Sequence, residues 1–576
     1  MNANITKGLV ALLLSAGMGL TASAQMKLVQ LAGDNQLIRI APETHEKFLL
    51  LPIEEAAPES QVRVVADNVQ QRQLNIRLAL SKIDYYVPFE LDEFRGKHLD
   101  LYTHINIDRS NRGGVGSEIC LHNFKLSDTF DASNREKFRP AFHHTPAYAW
   151  MNDPNGMFYK DGEWHLYYQY GPYGSMWNNM TWAHSVSKDL IHWEHRPDAI
   201  RPDANGTIFS GSCIVDHNNT AGFGKDAVIA MYTSCIQTPW GHDIQSQSIA
   251  YSLDNGNTFH VYEGNPVLTA EIADFRDPNM FWMEAPSDSP KGEGRWQLIM
   301  SAGQEMRLFS SPNMKDWTEE SRFGHDLGCH DGVWECPDLM KLTVESGKQK
   351  GQEKWVLICN INPGGPAGGS ATQYFIGDFD GHQFTVDDPA RYVGGHALWQ
   401  DYGKDHYATV SFSNAPKGRH TMIAWMSNWQ YANNVPTMQF RSANSICREP
   451  FLYTGADKQV YLGSRPSPEY DGQGLDHELK IKGSCTVVLS NAEGEEFRLI
   501  YDEKAMTLTA DRSKSGQTQF SQEFDEKAVA PVHNKITSMR LFIDNCSVEA
   551  FANNGEVCLT SLAFPQSKYD RVSVEK

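Results

Sequence analysis

Along most of its length the chain places apolar residues at every second position, the period of a strand with one buried face; no long run carries the helical period. Between residues 25 and 135, Leu74, Ile76, Leu78 and Leu80 alternate in this way, and Leu99, Leu101 and His104–Ile107 mark another strand, which predicts a small β-sandwich-like domain. Between 136 and 458 a unit recurs. Ser187–Trp193, Ser252–Phe259, Ser311–Trp317 and Asp378–Phe384 each close a strand with a polar turn and then return an aromatic to the sheet, at intervals of roughly 60 to 65 residues. Such spacing predicts the blades of a β-propeller rather than unrelated hairpins. From 459 to 576 simple alternation takes over in Cys485–Leu489, Phe497–Tyr501, Met506–Thr509, Met539–Ile543, Ser547–Phe551 and Val557–Leu562, which predicts a C-terminal β-sandwich. The predicted fold class is all-β.

At 576 residues the chain exceeds one hydrophobic core and should divide into several domains. Residues 1–24 break the alternation: Lys7, the apolar run Gly8–Leu20 and then Ala22-Ser23-Ala24 before Gln25 have the order of a signal peptide. The run is too short for a membrane span, and no cysteine precedes Cys120 to carry a lipid. The mature chain is therefore expected to start near Gln25 and to be exported, to the periplasm or beyond. A net charge of −20 excludes nucleic acid as a partner, since a phosphate-binding face needs clustered Lys and Arg. A neutral polysaccharide meets no such penalty, and 14 Trp, 22 Tyr and 27 Phe supply flat faces for sugar rings, although most of these fill cores. The ten cysteines follow no framework spacing and read as buried free thiols. Cys329, His330, Asp331 and Cys336 hint at a metal, but neighbours on an extended chain face opposite ways, so no metal is expected.

Three short acidic segments carry the chemistry. Trp150–Gly156 (WMNDPNG), Phe275–Pro278 (FRDP) and Trp334–Pro337 (WECP) each present one carboxylate, Asp153, Asp277 or Glu335, in successive parts of the repeat. Singly, Asp-Pro is a turn and Arg-Asp a surface pair. Together, on the inner strands of different blades, they could converge on one funnel, where crowded carboxylates cannot all stay ionised. Glu335, between Trp334 and Cys336, is expected to hold a proton and act as acid. Asp153, beside Asn152 and the Pro154-Asn155-Gly156 turn, is expected to be kept ionised as nucleophile, and Arg276 to hold Asp277 charged.

These three blocks resemble the hallmark motifs of glycoside hydrolase family 32, which includes invertases, inulinases, levanases and fructan β-fructosidases. The resemblance extends to Tyr167–Pro172, Trp177–Trp182, Phe209–Ser212, Asn362–Gly365, Asp401–Asp405 and Ser427–Trp429, and so covers most of residues 140 to 565. It implies a five-bladed propeller followed by a β-sandwich, and a retaining double displacement on β-D-fructofuranosides without a cofactor. Carried over by position, Asp153 is nucleophile, Asp277 transition-state stabiliser and Glu335 acid/base; Asn152, Gln169, Trp177, Phe209, Ser210, Arg276 and Trp429 contact the fructosyl unit. The N-terminal region falls outside the resemblance.

The expected function is removal of terminal fructose from levan, inulin or their oligosaccharides, with sucrose as a minor substrate. An endo-levanase and a non-catalytic glycan-binding propeller are the competing readings. Products and an Asp153→Ala variant separate them.

Overall fold

The computed structural model describes residues 25–31, 35–104, 122–133, 136–238, 242–284 and 294–576. The leader, Cys120 and residues 105–107 of the second N-terminal strand lie outside the described residues. Two compact units emerge, Met1–Asp131 and Ala132–Lys576.

The first unit holds two antiparallel sheets. One orders Met26–Gln30, Asn35–Ile40, Leu99–His104, Ser60–Ala66 and Val69–Ile76; the other orders Tyr85–Glu90, Phe48–Ile53 and Lys125–Ser127. Ile38, Val64, Leu101, Leu49 and Phe89 are fully buried. The alternation that runs from Leu74 to Leu80 ends early as a strand. Beyond Ile76 only a single bridge, Ile53 to Leu78, continues it, because Glu54 captures the N–H groups of Leu80 and Ser81 at 2.8 Å each.

The second unit begins with five sheets of the predicted kind. Blade I runs from the inner strand Ala149–Lys160 out to Trp193–Ile200, blade II from Thr207–Asp216 to His260–Val261, and blade III from Phe275–Met283 to Thr318–Phe323. Blade IV runs from Val333–Thr343 to Phe384–Val386, and blade V from Tyr407–Ser411 to Val460–Pro466. The inner strands neighbour one another in order, and the fifth returns to the first, which closes the propeller. Phe440–Arg441 adds a parallel clasp beside Ala149–Trp150.

The recurring polar turn joins the third and fourth strands of each blade, and one device forms it. Asp189, Asp254, Asn313 and Asp380 each turn a side-chain oxygen back to accept following backbone N–H groups, at 2.7–3.0 Å. An Asx side chain that mimics a backbone turn explains why Asp or Asn recurs there. Blade V has its own shorter version, Asp457 accepting from Gln459 at 3.0 Å.

The C-terminal sandwich pairs a four-stranded sheet (Asp476–Lys480, Ser538–Ile543, Ser547–Ala552, Val557–Leu562) with a five-stranded one spanning Ala528–Pro531 to Arg571–Glu575. Val487, Leu499, Leu508, Leu541, Val548 and Leu559 form its core. Among the described residues no helix is long and apolar enough to cross a membrane. The nine described cysteines are all free and buried.

Candidate active site

Every inner strand of the propeller carries a β-bulge at the same height, where two of its residues face one on the neighbouring strand. The bulged pairs are Asn152–Asp153, Phe209–Ser210, Asp277–Pro278, Cys336–Pro337 and Ala408–Thr409. A bulge leaves backbone groups out of the ladder and re-aims side chains. That is why Pro278 and Pro337, which have no N–H to give, are tolerated inside strands. Asp277 and Cys336 take positive φ, 63° and 41°, so the first residue of each of these bulges is held in a costly conformation that turns it toward the channel.

Residues of three bulges, Asn152–Asp153, Phe209–Ser210 and Asp277, together with Glu335 just before a fourth, open onto one pocket of about 300 Å³. All ten residues singled out in the sequence line it: Asn152, Asp153, Gln169, Trp177, Phe209, Ser210, Arg276, Asp277, Glu335 and Trp429. Asp153 accepts from Ser210 Oγ at 2.7 Å and from Asn152 Nδ2 at 3.1 Å, while Asn152 is itself fixed by Trp150 Nε1 at 2.9 Å. Asp277 accepts the Cys336 N–H at 2.9 Å and donates its own N–H to Thr233 Oγ1 at 3.0 Å. Trp177 meets Phe209 edge to face at 6.0 Å, and Trp429 stacks on Trp150 at 5.8 Å, so both tryptophans rest on the core and still present surface to the pocket.

Two expectations need correction. Arg276 gives its hydrogen bonds to acids other than its sequence neighbour. Its Nη2 and Nε donate to Glu335 Oε1 at 2.7 and 3.1 Å and its Nη1 to Asp274 at 2.6 Å, whereas Asp277 lies 3.9 Å away. Glu335, in turn, does not sit in a weakly polar slot between Trp334 and Cys336. Trp334 turns into a different core and donates to the Cys329 carbonyl; Glu335 receives the Arg276 guanidinium on one oxygen and the Tyr407 hydroxyl on the other. Strand alternation sends adjacent residues to opposite faces, so sequence neighbours are poor guides to a side chain's surroundings.

The electrostatics follow from crowding. Burial pushes the Asp153 carboxyl up from its ordinary range, and the Glu335 charge adds to the push against the Ser210, Asn152 and Cys336 hydrogen bonds. Local donors oppose this shift but do not cancel it: burial outweighs them. Burial also pushes Asp277 up, to about 7, with Arg276 opposing and Glu335 and Asp153 reinforcing. The Cys336 thiol, 3.5 Å from Asp153 and 3.6 Å from Asp277, is pushed well above the thiol range by burial and by these charges. Shifted groups gathered in a cleft mark a candidate acid–base site.

Sequence reading missed Tyr407, which immediately precedes the fifth bulge as Glu335 precedes the fourth. Nothing in its own surroundings flags it; aligning the bulges does. Asp243, Gln245, Asp274 and Asn362 complete the rim. A second void of about 380 Å³ lies further along the same strands, but its carboxylate, Asp338, is spent on the Ser411 N–H at 2.7 Å.

Known proteins share this architecture. The profile for glycosyl hydrolases family 32 N-terminal domain matches residues 143–464, that for the family 32 C terminal matches 456–576, and a domain of unknown function, DUF4980, matches 33–142. A levanase of Bacillus subtilis is 41% identical over 75% of this chain and 67% of its own length. An extracellular exo-inulinase of Aspergillus awamori is 36% identical over 75% of this chain and 92% of its own. The crystal structure of the exo-inulinase from Aspergillus awamori superposes with a TM-score of 0.68 at 34% identity, covering 77% of this chain and 96% of that one. A fructofuranosidase from Schwanniomyces occidentalis complexed with fructosylnystose gives 0.65 at 32% identity, covering 78% and 94%. With both of its domains matched and its carboxylates gathered in one pocket, this chain belongs to glycosyl hydrolase family 32.

Proposed function

We propose that this protein is a retaining β-fructosidase that releases terminal fructose from levan, inulin or their oligosaccharides, with sucrose as a minor substrate. The observation that supports it most is the meeting of Asp153, Asp277 and Glu335, from three separate blades, at one pocket walled by Trp177, Phe209 and Trp429. In this reading Glu335 protonates the leaving oxygen while Asp153 attacks the anomeric carbon and forms a fructosyl ester. Glu335 then takes a proton from water, which opens the ester with retained configuration. Asp277 and Arg276 grip ring hydroxyls, and the Asp277 carboxylate balances the developing positive charge. Asn152, Gln169, Ser210 and the three aromatics hold the ring so that its carbon faces Asp153. Glu335 and Asp153 are expected to stand about 5–5.5 Å apart at the reacting sugar.

A pocket of about 300 Å³ suits a single terminal ring, which favours exo action. The functional division that goes with this reading is an N-terminal β-domain over 25–135, a catalytic propeller over 136–458 and a sandwich over 459–576, in a protein exported to the periplasm or the medium. Chromatography of products from levan and inulin tests it. Free fructose alone supports the reading. A ladder of oligosaccharides replaces it with an endo-levanase, and no product with retained binding replaces it with a glycan-binding propeller.

A further inference from the structure

Asp277 reaches the pocket from a backbone that its own sheet does not hold. The bulge in blade III sets Asp277 and Pro278 between the paired residues Arg276 and Asn279, so both fall outside the register of the ladder. Pro278 has no N–H to satisfy, which leaves the Asp277 N–H as the donor that the bulge creates, on a buried residue at φ 63°. A buried donor without an acceptor is costly, and an aspartate keeps a positive φ only where its surroundings over-determine it.

Blade II supplies what the bulge lacks. Thr233, on its second strand, and Gln247, on its third, are paired in register and fully buried. Gln247 Nε2 donates to the Phe275 carbonyl at 2.8 Å, which fixes the amide so that its Oε1 faces Thr233. Thr233 Oγ1 donates to that oxygen at 2.7 Å and so spends its one proton. Only lone pairs remain on Oγ1, and the Asp277 N–H donates to one of them at 3.0 Å. Every step of this relay has a direction. It leaves the inner strand of blade III at Phe275 and returns at Asp277, closing a ring around Arg276 with side chains from the neighbouring blade. Blade IV repeats the design for blade V. There Asn360, paired in register with Thr372 and fully buried, accepts from Thr372 Oγ1 at 2.7 Å and from the N–H of the bulged Thr409 at 3.1 Å.

We propose that Thr233, oriented by Gln247, is a positioning residue for the reaction: it holds the Asp277 backbone in the conformation from which the carboxylate meets the fructosyl ring. The inference rests on the function proposed above and adds residues that act through Asp277, since neither side chain lines the pocket.

The test uses the full chain, with kcat and KM measured on a fructosyl trisaccharide. Thr233→Val keeps the shape and loses the acceptor, Thr233→Ser keeps the hydroxyl, and Gln247→Met leaves that hydroxyl free to turn away. Thr233→Val should lower kcat by about 20- to 100-fold with KM within about threefold, the scale expected when a placed group drifts by about 1 Å. Thr233→Ser should stay within about threefold of the parent, and Gln247→Met should fall between the two. In an Asp277→Asn background, Thr233→Val should cost less than about a further threefold, because the carboxylate it serves is gone. Parental kcat in Thr233→Val, equal losses in Thr233→Val and Thr233→Ser, or the full loss repeated in the Asp277→Asn background overturns the inference. Should Thr233→Val not fold, Gln247→Met decides, and parental kcat there overturns it too. A parent that releases no fructose from trisaccharide, fructan or sucrose overturns the proposed function and this inference with it; an active parent with an unaffected Thr233→Val overturns this inference alone.

Discussion

The second unit buries two clusters of charge, and they are built in opposite ways. In the pocket, Asp153, Asp277 and Glu335 share one arginine, whose hydrogen bonds go to Glu335 and to the rim residue Asp274. At the seam between propeller and sandwich, Asp401, Asp405, Asp544 and Glu549 face Arg448, Arg512 and His143. Arg448 bridges Asp401 at 2.8 Å and Glu549, Arg512 reaches Asp405 at 2.5 Å, and His143 lies 2.8 Å from both Asp544 and Glu549. Backbone N–H groups of Thr560, Leu562 and Ile446 satisfy the remaining oxygens at 2.8–2.9 Å. Both regions are buried, so burial alone pushes their acids up. At the seam, partners win: Asp401 and Glu549 fall below their ordinary range, Asp544 falls to about 2, and His143 rises to about 9. In the pocket burial wins, and Asp153 and Asp277 rise. Within these two clusters the sign of the shift thus follows whether paired partners or burial dominates.

That contrast can be broken by substitution. The largest effect should come from Asp153→Ala, with kcat on levan or inulin down by at least about 10⁴-fold while Tm stays the same or rises. A fall in Tm comparable to a seam variant's would erase the distinction. Arg448→Leu comes next: it strands Asp401 and Glu549 in the interior and should cost about 3–5 kcal/mol, read as a lower urea midpoint with unchanged KM in whatever remains folded.

A smaller effect sharpens the pocket's side. Tyr407→Phe removes the hydroxyl on Glu335 and should lower kcat by about 10- to 100-fold with KM within about twofold. An aryl fructoside with a good leaving group, which needs little proton donation, should recover most of the loss. Equal loss on both substrates would mean that Tyr407 does no more than pack.

The smallest effect is a pH dependence. Asp277 titrates near 7 when folded and near 3.8 when unfolded, so between these values the folded state binds more protons and stability drains away as pH rises. Asp277→Asn removes that drain. Its Tm should match the parent near pH 4 and exceed it by about 1–3 °C at pH 8. At the seam His143 works over a higher range: its stabilisation is complete below about 6.5 and is lost as pH passes about 9.

The strand periods, the blade repeat and the three acidic segments were legible because each is local. Asx turns need their Asp or Asn in place, and WMNDPNG, FRDP and WECP concentrate their chemistry within a few residues. What was not legible depends on long-range registration. Arg276 is next to Asp277 in sequence but its guanidinium reaches across to Glu335, a residue 59 positions on. Tyr407 carries no motif and acquires meaning only when five bulges stand at one height. The seam was invisible for the same reason: Arg448 and Glu549 are 101 positions apart, and each alone resembles a surface charge.

The clasp formed by Phe440–Arg441 carries a consequence for how activity arises. It grips Ala149 and Trp150, and the Trp150 indole in turn aims Asn152 at Asp153. The Asp153 carboxylate near the start of the wheel is thus steadied by a segment made almost at its end. A chain still emerging, or one nicked so that the hoop springs apart, would own all three acids and yet be mute.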